Sequence, residues 1–172
     1  YTSLLKKALA KNLFISFDPN YRHLLFQHQK ESFTSQSWHF LHHCNFFKVS
    51  DEEAMMLTGT STYTDAAKVF LQKTNAVFAI TIGKEGTLLG LNNETHTVPS
   101  IDITPVDTTG AGDAFTGAVL YQLSFKPLAP GIEFSEELWK SIIYNGNKAG
   151  ARTCEYLGAM EAFKHLSSDI FN

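Results

Sequence analysis

Three short, mostly apolar runs, the first two each followed by a helix-like pattern, constrain the fold of this chain more than any other feature. They are Leu13-Phe14-Ile15-Ser16-Phe17, Asn45-Phe46-Phe47-Lys48-Val49 and Val77-Phe78-Ala79-Ile80-Thr81-Ile82. Near-continuous apolar character, without alternation, is what a strand buried on both faces requires. The first run is stopped by Asp18-Pro19-Asn20, a turn-forming triplet. A polar helix is expected over Glu31–His42, and Ser50-Asp51-Glu52-Glu53 reads as the acidic first turn of another. Tyr63–Lys73 is amphipathic, with Ala66, Ala67, Phe70 and Leu71 as its inner face. Asn92-Asn93 between Thr87–Leu91 and Thr95–Val98 predicts a hairpin. Gly110–Leu123 and Glu136–Ala151 complete the set as two late helices. Strands alternating with helices imply a parallel sheet covered on both faces, here with a small antiparallel addition.

The chain has 172 residues, of which 44% are hydrophobic and 18% charged, enough for one domain with a substantial core. A net charge of −3 leaves no basic footprint for nucleic acid and no polybasic membrane signal. No apolar run approaches the ~20 residues a membrane helix needs. Cys44 and Cys154 are too few for a disulfide framework, so they read as small buried hydrophobes in a reducing cytoplasm. The chain opens without methionine on a helical stripe of Leu4, Leu5, Ala8 and Leu9. A preceding portion of the protein is therefore expected. Phe125–Gly131, with two prolines and a glycine, reads as a surface loop.

Chemistry concentrates at Thr109-Gly110-Ala111-Gly112, a small polar turn leading into the apolar helical pattern Ala114, Phe115, Ala118, Val119. A glycine turn at a helix start presents unpaired N–H groups at the positive end of the helix dipole, which suits phosphate. Asp113 falls in that first turn. Its spacing is compatible with dipole compensation and equally with accepting a proton from a substrate hydroxyl. Other phosphate motifs fail: Gly110-x-Gly112 lacks the third glycine of a dinucleotide fingerprint, and Gly83-Lys84-Glu85-Gly86 lacks the length and ending of a Walker A loop. His39, His42, His43 and Cys44 have metal-like spacing but no second ligand group, and read as structural. Glu136-Glu137 reads as a dipole-favoured first turn, not a glycosidase pair.

Asp107-Thr108-Thr109-Gly110-Ala111-Gly112-Asp113-Ala114-Phe115 resembles the C-terminal signature of the ribokinase-like (PfkB) carbohydrate kinases. Further likenesses follow in family order. Asp18-Pro19-Asn20-Tyr21-Arg22 resembles a segment of bacterial fructokinases and ketodeoxygluconate kinases. Lys48–Glu53 with Leu57-Thr58-Gly59 resembles the magnesium-linked segment, although Ser50 stands where that motif usually has Asn. Thr81–Gly86 resembles the nucleotide turn, and Asn147 to Gly158-Ala159 the stretch that closes over adenine. The resemblance implies a three-layer α/β/α sandwich with a mostly parallel sheet. Residues 1–172 would be the C-terminal ATP-binding portion of a single kinase domain, with the N-terminal part and β-sheet lid lacking. It implies ATP-dependent phosphorylation of a sugar hydroxyl, fructose being the leading case, with 2-keto-3-deoxygluconate or aminoimidazole riboside and nucleosides as rivals. A nucleotide-binding module without catalysis is the non-enzymatic alternative.

Carried onto this chain, the resemblance makes Asp113 the base and the N–H groups of Gly110, Ala111 and Gly112 an anion hole. Arg22 would offer a planar charged fork to phosphate or substrate. Thr81, Gly83 and Gly86 would hold nucleotide phosphates and ribose, with Asn147 beside adenine. Glu53 would act on Mg²⁺ through water. Asp107 and Thr109, with carbonyls near Thr153 and Gly158, match a monovalent-cation site for K⁺. Homodimers formed through the lid are also a family habit.

Overall fold

The computed structural model describes residues 1–26, 29–128, 134–166 and 170. Residues 129–131 of the expected Phe125–Gly131 loop lie outside the described residues. The elements in order are α1 (Thr2–Ala10), β1 (Ser16–Phe17), α2 (Lys30–Leu41), β2 (Phe46–Ser50), α3 (Asp51–Thr58), α4 (Tyr63–Lys73) and β3 (Val77–Thr81). A 3-10 turn at Gly83–Glu85 leads to β4 (Thr87–Leu91), β5 (Glu94–Val98), α5 (Ala111–Ser124), α6 (Glu136–Thr153) and a last 3-10 turn, Glu161–Lys164. The sheet runs in the order β1-β2-β3-β4-β5. β1, β2 and β3 are parallel, with Ser16 opposite Phe46 and Ser50 opposite Thr81. Asn92 and Asn93 both take positive φ, 52° and 63°, the geometry a two-residue hairpin turn demands.

The expected first strand is shorter than its sequence pattern. Leu13 is exposed, and Asn12 takes a left-handed φ of 51° directly after α1. The Asn45 side chain then receives the Ile15 N–H at 2.8 Å, replacing a ladder bond with a side-chain one. Only Ser16 and Phe17 remain paired.

The residues divide into two compact units, one built on Tyr1–Thr81 and Leu89–His96, the other on Ile82–Leu88, Thr97–Pro127 and residues 134–166. In the first, Phe47 stacks on Phe78 with ring centroids 5.3 Å apart, and Phe70 of α4 meets both edge-on. Gly90 makes room for that cluster, since a Cβ there would lie 2.1 Å from the Phe78 ring. The Trp38 indole donates to the Leu57 carbonyl at 2.8 Å, tying α2 to α3. In the second unit, Phe115, Val119 and Leu123 of α5 and Trp139, Ile142 and Ile143 of α6 are buried. Gly146 sits directly under Phe115, and Gly150 under the Ala111 carbonyl, at would-be Cβ distances of 2.9 and 3.0 Å. These two glycines, four residues apart on one helical face, let the start of α5 approach α6. Among the described residues no helix is long and apolar enough to cross a membrane.

Candidate active site

Loops leaving the carboxyl ends of parallel strands are where α/β sheets place their chemistry, and in the first unit three such ends converge in register. β1 runs into Asp18-Pro19-Asn20, β2 ends at Ser50 and β3 at Thr81. Lys48, on β2, is buried although charged, and its Nζ stands 3.5 Å from Asp18 Oδ2. A lysine is retained in such a place only with a partner for its charge. The Thr81 hydroxyl donates to the Val49 carbonyl at 3.4 Å.

Ser50 is the N-cap of α3. Its hydroxyl receives the Glu53 N–H at 3.1 Å, and Glu53 Oε2 receives the Ser50 N–H at 2.9 Å, closing a capping box. The other carboxylate oxygen of Glu53 receives the Tyr21 N–H at 2.6 Å. Glu53 thereby fastens the Asp18–Arg22 loop to the start of α3. Each of its oxygens keeps one further acceptor position, open to a metal ion or to a water bound to one. Arg22, next in the chain, is exposed, and its guanidinium has no ion pair or hydrogen bond among the described residues. Asp18, Asn20 and Arg22 also border a cavity of about 840 Å³. Its other walls include Leu5, Phe14, Phe33 and Phe40, an apolar lining unsuited to polyphosphate.

The second unit carries the two glycine turns. In the first of these turns, the Ile82 N–H donates to the Gly86 carbonyl at 2.8 Å and the Gly86 N–H to Gly83 at 3.2 Å. Gly86 has φ 100°, and a Cβ on it would lie 2.2 Å from the Val98 carbonyl oxygen. Only glycine fits there. Asn147, buried on α6, spends its amide on the surroundings of that turn. Its Oδ1 receives the Thr87 hydroxyl at 2.6 Å, and its Nδ2 donates to the Val98 and Pro99 carbonyls, each at 3.0 Å. Its polar groups are thus engaged by protein and not directed to a free surface.

The second turn starts α5. Gly110 is its N-cap, at φ 85°, and a Cβ there would lie 2.8 Å from Ala159 Cβ. The Ala111 N–H donates to the Thr108 carbonyl at 3.2 Å, so that member of the expected anion hole is already occupied. The N–H groups of Gly110, Gly112 and Asp113 have no acceptor among the described residues. Asp107 braces the loop: Oδ1 receives the Thr109 hydroxyl at 2.7 Å and the Thr109 N–H at 2.9 Å, and Oδ2 receives the Gly158 N–H at 2.8 Å. These bonds, the Thr109 hydroxyl first, hold the Asp107 carboxyl below the ordinary aspartate range. Asp113 is exposed, and its carboxylate makes neither a capping bond nor an ion pair among the described residues.

Asp18, Lys48 and Thr87 were not singled out by sequence. The available signal for Lys48 was a lone charge inside Phe46-Phe47-Lys48-Val49. Two of the histidines have backbone partners: His42 Nδ1 pairs with the Lys73 carbonyl at 3.0 Å and His43 Nδ1 with that of His39 at 2.8 Å. Both cysteines are free and buried. Burial pushes the Cys44 thiol up to about 12, which removes its thiolate reactivity.

The sequence profile of the pfkB family carbohydrate kinases matches residues 1–165. Fructokinase-1 of Zea mays is 33% identical over 147 residues, covering 85% of this chain and 44% of the relative. Among solved structures, aminoimidazole riboside kinase from Salmonella enterica, complexed with aminoimidazole riboside and an ATP analog, superposes with a TM-score of 0.82 at 27% identity. That match covers 93% of this chain and 52% of the other. A double mutant of Vibrio cholerae fructokinase, in a form bound to fructose, ADP and potassium ion, also gives a TM-score of 0.82, at 25% identity, covering 94% and 50%. The fold is the ribokinase-like α/β fold. The chain spans about half the length of the relatives it matches.

Proposed function

The chain belongs to the pfkB family of carbohydrate kinases, and on that premise we propose that the whole protein transfers the γ-phosphoryl group of ATP to fructose, giving fructose 6-phosphate. The observation that carries this reading is Asp113. It is an exposed carboxylate in the first turn of α5, beside two glycine N–H groups, and neither it nor they have a partner among the described residues. Phosphoryl transfer is mostly positioning and charge stabilisation, and that is what these groups supply. Asp113 takes the proton of the attacking hydroxyl. The N–H groups of Gly110 and Gly112, at the positive end of the helix dipole, stabilise the transferring phosphoryl oxygens. Ala111 contributes through the dipole, since its N–H is held by Thr108.

Gly83 and Gly86 shape the turn that receives the nucleotide phosphates and ribose, with Thr81 at its base. Arg22 offers an exposed, permanently charged fork to phosphate. Glu53 would hold Mg²⁺ through the ion's hydration shell, and the ion would there offset charge on the nucleotide phosphates. Asp107 and Thr109 would hold K⁺, and the hydrogen bonds to Asp107 keep it negatively charged even in mild acid. Fructose is preferred because Zea mays fructokinase-1 is among the relatives that cover most of the chain. The cytoplasm is the compartment that suits two free thiols.

The test is ADP release by the whole protein with ATP, Mg²⁺ and a panel of fructose, 2-keto-3-deoxygluconate, aminoimidazole riboside and nucleosides. Fructose is expected to give the highest kcat/KM. A tenfold preference for another acceptor removes the fructose assignment, and no ADP with any acceptor removes the kinase reading.

A further inference from the structure

We propose that Asn147, acting through Thr87, is a positioning residue that fixes the Ile82–Thr87 turn, and does not itself contact the nucleotide. The turn has little to hold it. Its internal bonds are Ile82 to Gly86, Gly86 to Gly83 and Glu85 to Ile82, the last two at 3.2 Å. Both Gly83 and Gly86 adopt positive φ, so the segment has conformational freedom that other residues would lack. Something outside the turn must select one conformation.

Asn147 meets that need from the middle of α6. It is 7% exposed, and Thr87, the residue that follows the turn, is completely buried. The amide bridges Thr87 on one side and the Val98 and Pro99 carbonyls on the other. Val98, Pro99 and Ser100 are also the residues against which Gly86 lies, with would-be Cβ distances of 2.2–2.8 Å. One side chain therefore joins the end of the turn to the surface on which the turn rests. The bonds to Thr87 and Val98 are buried and that to Pro99 is part-buried, a setting where a lost partner leaves an unsatisfied polar group. The amide is also matched in polarity: two carbonyl oxygens face the donor end and one hydroxyl faces the acceptor end. Aspartate would reverse one end of that match.

The consequence for ATP rests on the nucleotide reading of the turn, whereas the bracing can be tested apart from it. Two variants are needed. Asn147→Asp sets a carboxylate oxygen against two carbonyls, and Thr87→Val removes one hydroxyl while nearly preserving shape. Amide hydrogen exchange of the whole protein without ligand is the first readout. Both variants are expected to speed exchange at Ile82 and Gly86 at least tenfold, with Ala114 at the start of α5 unchanged. In the whole protein, KM for ATP is expected to rise about tenfold in both, with kcat and the sugar KM within twofold. Exchange at Ile82 and Gly86 within twofold of wild type in Thr87→Val overturns the proposal, and this variant decides the matter if Asn147→Asp does not fold. Loss of ATP affinity in Asn147→Asp with unchanged exchange also overturns it, because Asn147 would then be a direct ligand contact. If the wild-type protein binds no Mg·ATP, the nucleotide reading fails, and the exchange comparison alone decides whether Asn147 holds the turn.

Discussion

The Glu53 carboxylate serves two chain segments at once, accepting the Ser50 N–H that closes a capping box and the Tyr21 N–H from the loop after β1. Hydrogen bonds to a charged acceptor contribute about 1.5–3 kcal/mol each. Glu53→Gln retains one acceptor oxygen and turns an amide donor toward the other N–H. It should lower stability by about 2 kcal/mol, read as a shift in the urea midpoint. Its exposed neighbour Glu52 has no such bonds among the described residues, and Glu52→Gln should stay within about 0.5 kcal/mol. Equal effects at the two positions would remove Glu53 from its bracing role. The same geometry explains why Ser serves at position 50: a helix N-cap accepts Ser as readily as Asn.

At the scale of elements, α5 depends on a groove in α6. Gly146→Ala would gain about 1 kcal/mol of helix propensity. Its Cβ would stand 2.9 Å from two ring atoms of the buried Phe115 and 3.1 Å from Val119, and such overpacking costs about 1–3 kcal/mol. A net loss is expected, seen as a lower urea midpoint; a raised midpoint would contradict the packing account. The loop before α5 gives a pH prediction. Hydrogen bonds from Thr109 and Gly158 lower the Asp107 pKa in the folded chain. The stability they supply is therefore fully present above the unfolded aspartate value of about 3.9, and is lost only as pH falls through the lower folded value. The Gly158 amide signal should keep its bonded shift at pH 4 and lose it in stronger acid. Titration at or above the ordinary value would contradict this.

Elements were largely legible because periodicity is local. β3 ends at Thr81, one residue before the expected end, and α6 runs two residues further, to Thr153. The first strand was overcalled because its outcome turned on Asn45, thirty residues away. Gly86, Gly110 and Asp113 could be found because glycine spacing and a helix start are written in consecutive residues. The engagement of Asn147 could not, since Thr87 lies sixty positions earlier and the Val98 carbonyl leaves no sequence signal. The Lys48–Asp18 pair was hidden in the same way.

At the scale of the molecule, a parallel β1–β2–β3 core delivers the Asp18–Arg22 loop, Ser50 and Thr81 from one sheet end. The second unit supplies Asp107, the start of α5 and the Gly83–Gly86 turn. Whether Asp113 is the base of sugar phosphorylation is tested by one comparison: kcat of the whole protein and its Asp113→Asn variant with ATP, Mg²⁺ and saturating fructose. A fall of about 10²–10⁴-fold is expected, with Mg·ATP affinity retained. Turnover within a few-fold of wild type would contradict that role.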